Sequence, residues 1–241
     1  MDHLGFLAVG FFIGMGHALE ADHLAAVATM MCSGEGRRSL ILRGAIWGLG
    51  HTLALFVICS AVVLLGLSIS GTLEAVLELS VGFMIVGLGA QVLWRLHRER
   101  IHIHVHEHDG VRHLHAHSHA GETRSHQSSP HAHRHRSLLS HRKPMLIGLM
   151  HGAAGSAGLL VLMVASTQSA GEALAYFLVF GVGSVLGMAA LTAAASYPLL
   201  TIQRGALWLR TMTTAVIGFG ALWIGGHLAV ESLAALQQVG F

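Results

Sequence analysis

GMGHALEADHLAAV, residues Gly14–Val27, lies in an otherwise apolar run, yet seven consecutive positions hold His17, Glu20, Asp22 and His23. A carboxylate at the centre of a membrane helix costs roughly 2.5–3.5 kcal/mol on insertion scales. Glu20 and Asp22 therefore need partners, and the two histidines are the nearest in sequence. At 100° per residue Asp22 lies about 140° and His23 about 240° around an ideal helix from His17. An unbroken helix would not aim the three at one point. Either the segment unwinds near Gly14 and Gly16, or the residues serve different layers.

The remainder of the chain makes a membrane setting the natural one. Of 241 residues 53% are hydrophobic and only 11% charged, against about a quarter charged in soluble domains. Apolar runs long enough to cross the hydrocarbon core, about 20 residues, occur at 4–32, 40–67, 72–96, 144–168, 172–200 and 207–233. With six spans, all 14 Lys and Arg residues fall on one side. They are Arg37, Arg38 and Arg43, the group from Arg95 to Lys143, and Arg204 with Arg210. By the positive-inside rule that side is cytoplasmic and both termini are outside. The N-terminal MDHLGF lacks the basic region of a cleaved signal peptide and reads as the start of the first span. Cys32 and Cys59 form no CxxC pair, so neither a disulfide framework nor a thiolate metal site is expected.

A weak repeat runs through both halves. Gly14-Met15-Gly16-His17 is echoed by Gly148-Leu149-Met150-His151, WGLGHTL from Trp47 by FGVGSVL from Phe180, and VGLGA from Val86 by IGFGA from Ile217. Three spans per half invert the second copy, an arrangement that in transporters places the site near the midplane. The expected fold is all-α: a polytopic membrane protein with six helices in two inverted three-helix repeats. Residues 1–96 form the first half, 97–143 a connecting loop and 144–241 the second half. The pairs Gly10/Gly14, Gly44/Gly48, Gly148/Gly152 and Gly183/Gly187 have the GxxxG spacing that lets helices approach closely in lipid.

Two further spans carry a histidine, His51 and His151. Ionisable groups inside a membrane mark ion pathways, and imidazole with carboxylate suits Ni²⁺, Co²⁺ or Zn²⁺. The candidate ligands are His17, Asp22, His23, His51 and His151, with Glu20 and Ser156 as candidates for supporting them; Glu20 is equally open to a role as ligand or proton acceptor. The loop holds 14 of the 20 histidines, among them His102, His104, His106, His108, His113, His115, His117, His119, His131, His133 and His135. With little apolar content it is expected to be disordered and to buffer, sense or accept transition metal on the cytoplasmic side. Alternating histidines would line one face of an extended strand.

At this point the sequence resembles the nickel/cobalt transporter superfamily. HALEADH matches its H-x4-D-H signature through His17, Asp22 and His23, and GLGHT is similar to its second histidine motif through His51. HGAAGSAGLL from His151 is similar to the urease-accessory, UreH-like branch of nickel permeases. The resemblance implies transport of Ni²⁺ or Co²⁺, metal selection by the H-x4-D-H residues, and a cytoplasmic metallochaperone such as a urease maturation protein as partner. The chain departs from larger members in its six spans, in Gly16 where they carry Arg, and in lacking their later acidic motif. The reading is thus a secondary permease of the inner membrane, moving Ni²⁺ or Co²⁺ (Zn²⁺ as a further cargo), most simply inward. No prosthetic group and no nucleic-acid partner is expected.

Two other classes are weighed. An exporter of the same superfamily, or a zinc cation-diffusion facilitator, would also carry a His-rich loop. The facilitator expects paired His/Asp motifs in two spans and a soluble C-terminal domain, and the fifth span here has no carboxylate. A membrane di-iron or zinc enzyme expects adjacent His-His pairs, and none occurs in the sequence. The lack of a G-x4-GK[ST] motif argues against an ATPase.

Overall fold

A computed structural model describes residues 3–32, 35–67, 69–98, 101–108, 111–118, 142–155, 169–203 and 205–238. Seven helices are present among the described residues. They are α1 (His3–His17), α2 (Ala21–Met31), α3 (Arg37–Leu65), α4 (Gly71–Arg98), α5 (Arg142–Ala154), α6 (Ala170–Gln203) and α7 (Leu207–Gln238). Helices α3, α4, α6 and α7 are each long and apolar enough to cross a bilayer, and α1 with α2, a pair bent by 53°, passes the same test when taken together. The protein is a polytopic helical membrane protein. Helix α5 has 13 residues, about 20 Å at 1.5 Å per residue. The run expected at 144–168 is described only as far as residue 155.

The outer surface of this bundle is what lipid requires. In α7, Trp208, Met212, Val216, Phe219 and Trp223 are all well exposed and recur every three or four residues, one continuous helical stripe. The opposite face of α7 carries Gly218, Ala221 and Gly225, buried against α4. Lipid is as apolar as leucine, so helix association in it rests on close packing of small residues.

That packing defines the arrangement. A Cβ added at Gly14 would meet the Phe180 carbonyl, and one at Gly10 the Tyr176 ring, so α1 runs parallel to α6. A Cβ at Gly148 would meet the Trp47 carbonyl and one at Gly152 the His51 carbonyl, so α5 runs parallel to α3. Helices α3 and α6 cross antiparallel, with Gly48 on Val185 and Gly181 on Thr52. Helices α4 and α7 do likewise, with Gly82 on Gly225 and Gly89 on Gly218. It follows that α1 and α5 point in opposite directions. All eight glycines of the four GxxxG pairs are in such contacts.

Between α4 and α5 the structure departs from expectation. The segment read as disordered contains two strands, β1 (Ile101–His108) and β2 (Val111–Ser118), paired antiparallel with His102 opposite His117, His104 opposite His115 and His106 opposite His113. The all-α expectation therefore holds for the membrane body and not for this segment. Ile101, Ile103 and Val105 alternate with histidine, a period-2, β-branched pattern, and Asp-Gly between the two runs is a strong hairpin dipeptide. Of the loop histidines, His119, His131, His133 and His135 lie outside the described residues.

The close contacts make a stability prediction. Gly148→Ala, whose methyl would overlap backbone on α3, is expected to lose about 1–3 kcal/mol. Gly87→Ala, with nothing within 4 Å of its added methyl, is expected to be neutral. Thermal unfolding of the two variants in detergent checks this.

Candidate metal centre

Helix α1 ends at His17 and α2 begins at Ala21, so the break falls at Ala18–Glu20, beginning two residues beyond Gly16 rather than at the glycines themselves. The glycines explain the displacement: Gly14 is needed inside a helix for its approach to α6. The turn is closed by Leu19 N–H to Gly16 O at 2.9 Å and Glu20 N–H to His17 O at 3.2 Å. Glu20 takes an extended conformation (φ −63°, ψ 150°), and its carbonyl accepts the first bond of α2 from Leu24 at 2.9 Å. Asp22 then sits in the first turn of α2, where the helix dipole favours a negative charge.

The bend brings together side chains that an ideal helix would separate. The His17 and His23 rings lie 4.6 Å apart, centroid to centroid. His51, from the middle of α3, is 5.0 Å from His17 and 5.1 Å from His23. His151, in the last turn of α5, is 5.0 Å from His23. Two overlapping groups result, His17–His23–His51 and Asp22–His23–His151, each with its donor atoms within 4.8 Å of one another. His23 belongs to both. All five expected ligands therefore converge. Glu20 does too, at the rim, with its carboxylate 2.6 Å from His17 Nδ1. Ser156 lies outside the described residues.

The hydrogen bonds indicate which nitrogens are free. Asp22 Oδ1 is 2.8 Å from His23 Nδ1, which as donor leaves the Nε2 lone pair of a neutral ring available. That atom is buried and has no hydrogen-bond partner among the described residues. A carboxylate holding the far nitrogen of a ligating histidine is the usual way such a ring is oriented and made more basic. Asp22 Oδ2 is 3.7 Å from His151 Nε2. His17 Nε2 and His51 Nε2 are 3.1 Å apart. If His17 donates through Nδ1 to Glu20, its Nε2 accepts from His51, leaving His51 Nδ1 unprotonated and, among the described residues, without a partner. His151 Nε2 likewise makes no hydrogen bond among the described residues, with Asp22 Oδ2 as its facing charge. Each unmet buried polar atom costs about 1–3 kcal/mol, and a divalent ion could satisfy several at once. The set is imidazole-rich with one close carboxylate, which suits Ni²⁺, Co²⁺ or Zn²⁺.

Two aromatic walls were not foreseen. The fully buried Trp47 ring is 5.3 Å from His23 and 5.7 Å from His151, and Phe180 is 5.6 Å from His17. The signal for Trp47 was present, since it precedes His51 by four residues and so shares its helix face. Phe180 is its counterpart in the repeat.

A cavity of about 610 Å³ is bordered by His17, Glu20, Glu74, Glu78, Gly155 and Phe180. A neighbouring one of about 460 Å³ reaches Glu20, Asp22, His227 and Glu231. Glu74, Glu78 and Glu231 lie toward the ends of α4 and α7 opposite those that carry Arg95, Arg98 and Arg210, while Glu20 and Asp22 stand at the break between α1 and α2. At the other end a cavity of about 320 Å³ is bordered by Glu35, Arg43, Arg95 and Lys143.

Comparison with known proteins now bears on this geometry. The family described as high-affinity nickel-transport protein (NicO) matches residues 3–238. The chain belongs to the NicO family. Its members are transporters, and nickel transport is accordingly the activity class of this membrane protein, with the metal ion as substrate and no enzymatic step. The chain is also similar to the urease accessory protein UreH of Bacillus sp. (strain TB-90), 30% identical over 227 residues, covering 94% of this chain and 91% of that protein. No solved structure matches.

Because His23 is shared, the two groups fail unequally. Nickel at about a hundredfold excess over its dissociation constant is expected to stabilise the fold by about 2.7 kcal/mol. His23→Ala is expected to abolish that rise in melting temperature, whereas His151→Ala leaves part of it. Thermal unfolding with and without Ni²⁺ measures both, in a background whose loop histidines are replaced by glutamine so that binding to the 97–143 segment does not contribute.

Proposed function

We propose that this NicO-family protein is a nickel permease that carries Ni²⁺ inward through the broken first span, with His17, His23, His51 and His151 as ligands. Asp22 supplies the compensating charge and orients His23. The observation that carries the reading is the meeting of four imidazoles and a carboxylate from α1, α2, α3 and α5 at one helix break. Co²⁺ and Zn²⁺ fit the same donors as further cargoes.

The membrane arrangement belongs to the same proposal. Six spans, the fourth being the apolar run at 144–168 in the sequence, put both termini outside and the His-rich segment in the cytoplasm. The halves 1–96 and 144–241 are inverted repeats. Supporting this, Gly14 meets Phe180 as Gly148 meets Trp47, and Gly183 meets Phe11 as Gly50 meets Met145. These pairs exchange under the sequence offsets of 134 and 133 residues. In such folds the repeats rock about a site between them, which here would turn the ion from the acidic cavity toward the basic end.

Inward movement has a sufficient driving force. Two charges across about 100 mV gain about 4.6 kcal/mol, on the order of a thousandfold accumulation. The carboxylates Glu20, Glu74, Glu78 and Glu231 around the outer cavities favour a cation there. Histidines such as His102, His104, His113 and His115 would buffer delivered metal before transfer to a cytoplasmic metallochaperone. The similarity to a urease accessory protein suggests a urease maturation protein as that acceptor.

The test is radioactive Ni²⁺ uptake into right-side-out vesicles with an imposed inside-negative potential. Uptake is expected to follow the potential, to fall at least about tenfold in His17→Ala and Asp22→Ala, and to survive replacement of the loop histidines. Potential-independent extrusion, with cells expressing the protein gaining nickel tolerance, would reverse the direction assigned.

A further inference from the structure

Several hydroxyls in the described helices turn back onto their own backbone, whereas buried Ser39 donates to the Glu35 carboxylate. Thr29 donates to Ala26 O, Ser80 to Leu77 O, Thr192 to Met188 O, Ser196 to Ala193 O and Ser232 to Leu228 O. Ser184, in the middle of α6, does not. Its side chain is fully buried and its Oγ has no hydrogen-bond partner among the described residues. Ser60 shares the lack, but it is only half-buried and stands nine residues beyond His51 on α3.

The contacts of α6 give the direction of Ser184. Phe180, Gly183 and Gly187 pack on α1, against Gly14, Phe11 with Met15, and Met15 with Ala18. Gly181, Val185 and Met188 pack on α3, against Thr52, Gly48, and Gly44 with Gly48. With Phe180 at zero, the first set falls at about 300–360° and the second at about 80–140°. Ser184 falls at about 40°, between the two, and so aims into the seam between α1 and α3. His17 and His51 close that seam with their Nε2 atoms 3.1 Å apart. Phe180, one turn from Ser184, touches His17. His51 Nδ1, on the facing helix, is also without a partner among the described residues. In the sequence repeat Ser184 occupies the position of His51.

We propose that Ser184 takes part in metal selection by accepting a hydrogen bond from a water that the permeating ion keeps while held by His17 and His51. This rests on the reading of the histidine cluster as the transport site. A small residue is enough for helix packing there, but packing does not require an unbonded hydroxyl. A water-retaining ion is favoured by such a group. Zn²⁺, which is commonly satisfied by four ligands in tetrahedral array, gains less from it.

The experiment is Ni²⁺ uptake by the full chain in vesicles, with Zn²⁺ as competitor, for wild type, Ser184→Ala, Ser184→Cys and His17→Ala. Ser184→Ala keeps the packing and removes the oxygen. It is expected to lower nickel uptake and to strengthen zinc inhibition about tenfold, with an unchanged melting temperature. Ser184→Cys, which adds a softer donor, is expected to shift competition further toward zinc. Normal uptake and competition in Ser184→Ala beside an inactive His17→Ala would overturn this proposal alone. Loss of uptake with unchanged zinc competition would assign Ser184 to packing and overturn it equally. Wild-type behaviour of His17→Ala would overturn the site itself, and this proposal with it.

Discussion

The contact between Asp22 and His23 is the one on which the site depends. A carboxylate in an apolar bundle is costly alone, and Asp22 offsets that cost with the His23 ring at 2.8 Å and the first turn of α2 beneath it. Both require α2 to start afresh at Ala21. A continuous helix would turn His23 away from His17 and place Asp22 inside a helix without the dipole's help. The 53° bend is therefore the local conformation that lets acidic and basic groups meet within the membrane.

The bend is held by packing on both sides. Gly14 locks α1 onto α6 just before the break, while Gly148 and Gly152 press α5 onto the stretch of α3 that includes Trp47 and His51. The second of these contacts sets His151 and His51 around His23, so the glycine pairs that make the fold compact also fix the ligand spacing. Trp47 and Phe180 close the apolar walls. Low-dielectric surroundings strengthen each electrostatic contact inside, which raises the penalty for any ion whose donors do not match.

Much of this was legible in the sequence, and for definable reasons. Apolar run lengths located the four long helices and the bent α1–α2 pair to within about five residues, because bilayer thickness imposes such lengths. The need for partners to Glu20 and Asp22 pointed to His17 and His23, and the rarity of ionisable groups inside spans pointed to His51 and His151. The position of the break was not legible: Gly14 and Gly16 suggested unwinding, whereas Gly14 serves a tertiary contact invisible in a one-dimensional reading. Ala18, Leu19 and Glu20, which form the turn, are ordinary helix formers. The hairpin at 101–118 was hidden by composition, since histidine-rich, polar sequence reads as disorder even where β-branched residues alternate. Trp47 could have been found by its spacing from His51. Ser184 could not, because a single serine in a glycine-rich helix carries no signal until its neighbours on α1 and α3 are known.

Nickel K-edge X-ray absorption on the protein with its 14 loop histidines replaced by glutamine tests the central claim most directly. One bound nickel, with the scattering pattern of several imidazoles and a nitrogen or oxygen first sphere, is the result required by the His17–His23–His51–His151 cluster. That pattern should weaken or vanish in His23→Ala. No bound nickel, or an oxygen-only spectrum unaltered by His23→Ala, would contradict the account.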